Sequence, residues 1–224
     1  MDALGDRMKC NYENRTRYYL PRRVYTIIRV DGKAFHTYTR GMKKPYDQKL
    51  NECMDMAAKS LLGEVQGGLF VYTQSDEISV VSQDFVEQDT QAWFDGNLQK
   101  ICSISASVVT AQFNFYHDSG KFAYFDSRVF TISDPAEVAN YFVWRTRDAI
   151  RNSINMLGQN YFSPKDMHGK NTTQVKDMLI LEKYANWNKE PDRFKTGSLQ
   201  KKSGSVTIPT SNLYQFYSDL LKGV

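Results

Sequence analysis

Residues 24–32 read VYTIIRVDG, five β-branched residues in nine positions running into Asp31-Gly32. Side chains branched at Cβ are stiff at χ1 and fit a pleated strand, and Asp-Gly favours a tight turn, so this stretch predicts a strand that ends abruptly. After a loop holding Gly41 and Pro45, residues 47–62 place Leu50, Cys53, Met54, Ala57, Leu61 and Leu62 at helical spacing, with Gly63 as the stop. Residues 69–73 (LFVYT) and 77–82 (EISVVS) read as two short strands joined through Gln74, Ser75 and Asp76, a hairpin with carboxylates at its tip. Residues 97–113 suit a second helix, weakened by Val108 and Val109, and the alternation in 122–130 suits a further strand.

The order strand, helix, strand, strand, helix, strand predicts an α+β fold of ferredoxin-like topology. This is an antiparallel sheet with helices on one face, as in polymerase palms and nucleotide cyclases. Asp134 followed by Pro135 opens a long helix to about residue 160 with an N-cap and a first-turn proline. From Tyr161 onward the signals are short helices and polar loops, and the tail from Val206 matches no pattern. The reading is a catalytic palm over 1–134 and a helical C-terminal region, 135–224, packed on it.

At 224 residues, with 41% hydrophobic and 24% charged residues, the chain has the material for a sizeable core and the profile of a globular protein. Its three cysteines form no C-x-x-C pair, which speaks against a disulfide framework and against zinc. No apolar run approaches the ~18 residues of a membrane span, and MDALGDRMK lacks the apolar core of a signal peptide, so a cytoplasmic protein with no membrane partner is expected. Charge is segregated along the chain. Residues 7–44 carry eleven Lys and Arg against two acids, whereas Leu69 to Gln99 has six acids and no basic residue. Such a chain suits a protein that grips a polyanion and holds divalent cations nearby, although charged runs are also ordinary solvated faces.

Two carboxylates carry the chemistry: Asp31 at the strand end and Asp76 in the hairpin. If the two strands are neighbours the carboxylates meet, and adjacent carboxylates stay ionised only with a positive charge between them, for which hard Mg²⁺ with oxygen ligands is suited. Two such ions, with Asp31, the Gly32 carbonyl and Asp76 as ligands, would serve phosphoryl or nucleotidyl transfer; Glu77 adds a third acid. The bland alternative is a turn and a charged hairpin tip. Lys33, Phe35, His36 and the Lys43-Lys44 pair favour the first reading, because backbone N–H groups after Gly32 could cradle a triphosphate that lysines neutralise. Phe35 or His36 could stack on a base, though a Phe there also suits the core. No G-x-S-x-G elbow or Walker loop is present.

Six motifs, LGDRMK (4–9), RVDGKAFH (29–36), YTQSDEIS (72–79), KICSISAS (100–107), FDSRVF (125–130) and WRTRDAIRNSIN (144–155), resemble the tRNA-His guanylyltransferase family. YFSPKDMHGKNT and NWNKEPDRFKTG are similar to its bacterial and archaeal-type branch, extending the resemblance from about residue 4 to 197. The resemblance implies a palm enzyme with two Mg²⁺ that adds nucleotides to the 5′ end of tRNA, growing the chain 3′ to 5′. A 5′-monophosphate would be activated with ATP or GTP before an NTP is added. It puts metal ligands on Asp31, Gly32 and Asp76, with Glu77 completing the catalytic acids. The nucleotide would lie on Asp31, Gly32, Lys33, Ala34, Phe35 and His36, with Ser75 beside Asp76 at the phosphates. Lys44 would serve the activating triphosphate, with Arg29 and Lys100 as weaker candidates. Arg145, Arg147, Arg151 and Lys195 are candidates for tRNA phosphates, and a homotetramer built as a dimer of dimers is expected. Where eukaryotic members carry a His-Ile-Asn-rich segment, this chain has RNSINMLGQN, which implies template-dependent completion of truncated tRNAs at least as much as addition of the extra guanosine to tRNA-His. Thr146 stands where the family usually has Gln. The alternatives are a palm enzyme acting on free nucleotides, a cyclase or dinucleotide synthase, and a non-catalytic RNA-binding scaffold.

Overall fold

The computed structural model describes residues 2–223. Helix α1 (Ala3–Asn11), capped by the Asp2 side chain on the Leu4 N–H, and a 3-10 turn (Glu13–Thr16) lead into β1 (Tyr25–Gly32). A single turn, α2 (Phe35–Tyr38), precedes α3 (Gln48–Glu64), the hairpin β2 (Gly68–Gln74) and β3 (Glu77–Ser82), α4 (Leu98–Tyr116) and β4 (Phe125–Ile132). The expected sequence of elements is present in order. Helix α3 passes through Gly63 rather than stopping there, since its Leu61 and Leu62 are buried and packing outweighs the cost of one helical glycine. Val108 and Val109 do not break α4, because Val109 is fully buried.

The long helix α5 (Pro135–Tyr161) begins as expected, with Asp134 Oδ1 accepting from the Ala136 N–H at 2.8 Å. It is followed by α6 (Pro164–Met167), α7 (Thr172–Lys183), α8 (Asp192–Thr196), strands β5 (Ser198–Lys201) and β6 (Gly204–Val206), and α9 (Leu213–Lys222). The two strands fall in a stretch whose sequence reads as polar loop. Runs of four and three residues are too short to show alternation, and β5 is specified by the edge it meets, with Leu199 opposite Tyr72 of β2.

The sheet order is β4-β1-β3-β2-β5-β6, every pair antiparallel, and its first four strands have the ferredoxin-like arrangement. Alternate residues serve its two faces. Ile28, Val30, Ile78 and Val80 pack with Met54, Ala57 and Leu61 of α3 and with Val109 and Phe113 of α4. Tyr25, Ile27, Phe70, Tyr72 and Val81 face Val138 and Phe142 of α5 and Leu213 and Tyr217 of α9. The C-terminal region therefore covers the face the palm helices leave open. Its distal part closes a third core, in which Ile154 and Leu157 of α5 meet Val175 and Leu179 of α7, Trp187 and Phe194. Among the described residues no helix is long and apolar enough to cross a membrane.

Candidate active site

Strand β1 lies between β4 and β3, so Asp31 and Gly32 emerge at an end of the sheet flanked on both sides. Asp31 stands opposite Glu77 in the β1–β3 register, and the Gly32 N–H donates to the Asp76 carbonyl at 3.1 Å, which ties the hairpin tip to the end of β1. Asp31 and Asp76 thus share one corner, as expected. Burial pushes the Asp76 carboxyl up to about 6; the Asp31 charge adds to the rise, while hydrogen bonds from its own backbone and from Ser75 oppose it. An oxygen-only corner whose second carboxylate is held above its ordinary range fits a hard divalent cation. It is a two-carboxylate corner, since no group of three or more His, Cys, Asp or Glu gathers for a metal among the described residues.

The backbone here is held in uncommon conformations. Ala34 and Ser75 are left-handed, at φ 53° and 49°, and a Cβ on Gly32 would sit 2.2 Å from the Phe35 ring. Lys33 donates its N–H to the Tyr124 carbonyl at 2.8 Å, and the N–H groups of Thr37 and Tyr38 both reach the Ala34 carbonyl. Lys33, Ala34 and His36 are exposed on this turn. Phe35 is not: its ring is buried against Tyr38, Phe113 and Phe125, which removes it as a stacking platform and makes it the anchor of the turn.

Glu77, the expected third acid, is beside the pair in register but 4% exposed, with both oxygens taken by guanidiniums. Arg145 of α5 donates from Nε to Oε1 at 2.8 Å and from NH2 to Oε2 at 2.6 Å. Arg29 NH2 lies 2.6 Å from the same Oε2 and 3.1 Å from Asp31 Oδ2. Arg145 was expected to hold tRNA phosphates; it is 5% exposed and committed to Glu77 and Asp148, so no free face remains for RNA. Lys195 is likewise unavailable, its ammonium spent on Asp192 and the Asn188 carbonyl. Arg147 is exposed, and Arg151 is exposed and paired with Asp148. Lys100, in the first turn of α4, precedes Ile101, which lines a small cavity with Thr26 and Ser82 at the opposite end of β1. The acids of the Leu69–Gln99 stretch do not all gather at the corner either: Asp84 accepts from Arg22 Nε at 2.5 Å and from the Arg23 N–H at 2.8 Å.

Ser75 opens onto two adjoining cavities. One, of about 180 Å³, is walled by Lys43, Lys44 and Pro45 on one side and by Met156 and Gln159 of α5 on the other. The second, of about 340 Å³, carries Gln74, Asn152, Asn155, Gln159 and Arg193 over a floor where the Tyr46 and Phe194 rings meet at 4.6 Å. Arg193 is fixed by Asp55, its Nε within 2.9 and 3.0 Å of the two carboxylate oxygens. The amides at 152, 155 and 159 follow helical spacing i, i+3, i+7, a signal legible in RNSINMLGQN once that segment is read as helix.

Residues 5–133 match the family model described as tRNAHis guanylyltransferase. The fold is that of a bacterial tRNA(His) guanylyltransferase-like protein solved in complex with ATP, at 40% identity and TM-score 0.90 over 97% of this chain and 99% of the other. A bacterial tRNA(His) guanylyltransferase-like protein in complex with GTP gives 43% identity and TM-score 0.79 over 89% and 84%. The tRNA(His) guanylyltransferase of Kluyveromyces lactis is 28% identical over 81% of this chain and 84% of its own length. With the family model covering more than half the sequence and the palm intact, this chain belongs to the tRNA(His) guanylyltransferase family of nucleotidyltransferases.

Proposed function

We propose that the protein extends the 5′ end of tRNA in the 3′ to 5′ direction, with template-dependent completion of truncated acceptor stems as its main reaction and addition of the extra guanosine to tRNA-His as the alternative outcome. The observation that carries this reading is the Asp31–Asp76 corner beside the Ser75 cavities. The RNSINMLGQN segment, standing where eukaryotic members carry a His-Ile-Asn-rich stretch, favours completion.

In the first step a 5′-phosphate oxygen attacks the α-phosphorus of ATP or GTP and pyrophosphate leaves. In the second, the 3′-hydroxyl of an incoming NTP attacks the activated 5′-phosphorus and the nucleoside monophosphate leaves. Asp31, the Gly32 carbonyl and Asp76 would hold two Mg²⁺, which when bound polarise the attacking oxygen and neutralise the leaving one. The N–H groups of Ala34, Phe35 and His36 and the Lys33 side chain orient one triphosphate, with Ser75 at the phosphates. Lys44 and Ser75 hold the activating nucleotide, whose base has the amide-lined cavity available. Arg147 and Arg151 supply exposed charge for RNA phosphates. A homotetramer in the cytoplasm completes the reading.

The test is 5′-end sequencing of two transcripts incubated with protein, Mg²⁺, ATP and all four NTPs: tRNA-His lacking its extra guanosine, and a tRNA missing its first nucleotide. Extension of the truncated transcript is expected. Extension of tRNA-His alone would reassign the main reaction, and extension of neither would overturn the proposal.

A further inference from the structure

We propose that Arg145 is a positioning residue for the Asp31–Asp76 corner, acting through Glu77; the inference rests on the metal-binding reading of that corner. Asp31 and Glu77 are directly opposed across β1 and β3, and like charges so placed repel. Arg29 NH2 stands between them and touches both carboxylates. A single guanidinium shared by two acids leaves each free to take it from the other. Arg145 removes that freedom by gripping Glu77 through two parallel N–H donations, while Ser79 Oγ donates to Oε1 at 3.3 Å. Ser79 is itself held by the Tyr141 hydroxyl at 2.8 Å, and the half-exposed Trp144 ring lies 4.5 Å over the Arg145 guanidinium.

Glu77 is therefore a fixed anchor. From that anchor three links run to the corner: the peptide joining it to Asp76, its register opposite Asp31, and the shared Arg29. Helix α5 thus sets the spacing and orientation of two oxygen ligands it does not touch. Outer partners that orient metal ligands are worth roughly 10- to 100-fold in metal affinity. Lysine at 145 would keep the charge but lose the bidentate fork.

The experiment uses Mn²⁺ alone as the probe, titrated into the full-length protein and read by loss of the free-ion electron paramagnetic resonance signal. Arg145→Lys is expected to weaken Mn²⁺ binding about tenfold or more. In tRNA extension it should lower kcat and raise the Mn²⁺ requirement while the KM for ATP is unchanged. Glu77→Gln/Arg145→Met, which removes both buried charges, decides the matter if the lysine variant does not fold, and the same loss is expected of it. Leu61→Ala, in the core of the opposite face, is the control for instability and should melt earlier yet bind Mn²⁺ normally. Wild-type Mn²⁺ affinity in both Arg145 variants would overturn the inference and leave Arg145 a purely structural residue. Absence of Mn²⁺ binding in the wild type would instead sink the metal reading of Asp31 and Asp76, and this inference with it.

Discussion

The two faces of the sheet are built from alternate residues of the same strands, yet they do different work. The face under α3 and α4 is apolar throughout the sheet centre: Ile28, Val30, Val71, Ile78 and Val80 are all no more than 1% exposed. The face under α5 and α9 starts equally apolar at Phe70, Phe142 and Tyr217, then turns polar toward the end of β1, through Ser79 and Tyr141 to Glu77, Arg145 and Arg29. Burying charge is costly, and each of these charges meets an opposite one, with Arg29 Nε left as a buried donor without a partner. The apolar face holds the strands in place by bulk burial. The ionic face gives direction, because a guanidinium fork fixes a carboxylate's orientation and burial alone does not.

That comparison can be broken most decisively at the corner itself. Asp31→Ala or Asp76→Ala should lower tRNA extension by roughly 1000-fold or more while leaving tRNA affinity in a filter-binding assay unchanged. Comparable activity in either variant would place the chemistry elsewhere. Next in size is the ionic face. Arg145→Met alone strands Glu77 as a buried carboxylate with Arg29 as its one guanidinium partner, and should cost about 3–5 kcal/mol in urea unfolding, most of it recovered by adding Glu77→Gln. If the double variant were as unstable as the single, the cost would lie in packing rather than in stranded charge.

The apolar face gives the sharper control. Leu61→Ala should cost about 2–5 kcal/mol from lost burial and a cavity, with no change in the divalent-ion requirement of whatever activity remains. A shifted ion requirement would mean the two faces are coupled. The smallest effect is a pH dependence at the far end of α4. His117 is 6% exposed, with Nδ1 2.8 Å from the Tyr38 hydroxyl, and burial holds its pKa below the ordinary 6.5, helped by the nearby Lys49 charge and opposed by Asp47. As pH falls through 6.5 the unfolded chain takes up a proton that the folded one resists, so this contribution is complete above 6.5 and is lost below it. Melting temperatures measured from pH 7.5 to 5 should fall less steeply for His117→Asn than for the parent; equal slopes would clear His117.

Most of the palm was legible in the sequence because its signals are local. VYTIIRVDG, the amphipathic 47–62 pattern, the hairpin around Ser75 and Asp76 and the Asp134-Pro135 cap each record a backbone preference or a burial period within a few residues. The same locality carried the meeting of Asp31 and Asp76, since it requires only that the strands they end be neighbours. Register, however, is a property of pairs. That β5 and β6 extend the sheet depends on the β2 edge offering unpaired backbone groups, which no pattern in SLQK or GSV records.

Charge was least legible. In the sequence Arg145, Arg147 and Arg151 are equivalent basic residues of one helix, as are Arg193 and Lys195 of another. Folding buries Arg145 on Glu77, 68 positions away, pins the half-buried Arg193 on Asp55, 138 positions away, and leaves Arg147 facing solvent. Whether a guanidinium meets a phosphate or a buried carboxylate is decided by which face of its helix the rest of the chain covers. Short-range sterics and periodicity thus fix the first four strands, the helices α3, α4 and α5 and the two acids at the ends of strands, while six motifs carry the family. Only the tertiary structure decided which charges remain free, because burial and pairing come from long-range contacts that local patterns do not encode.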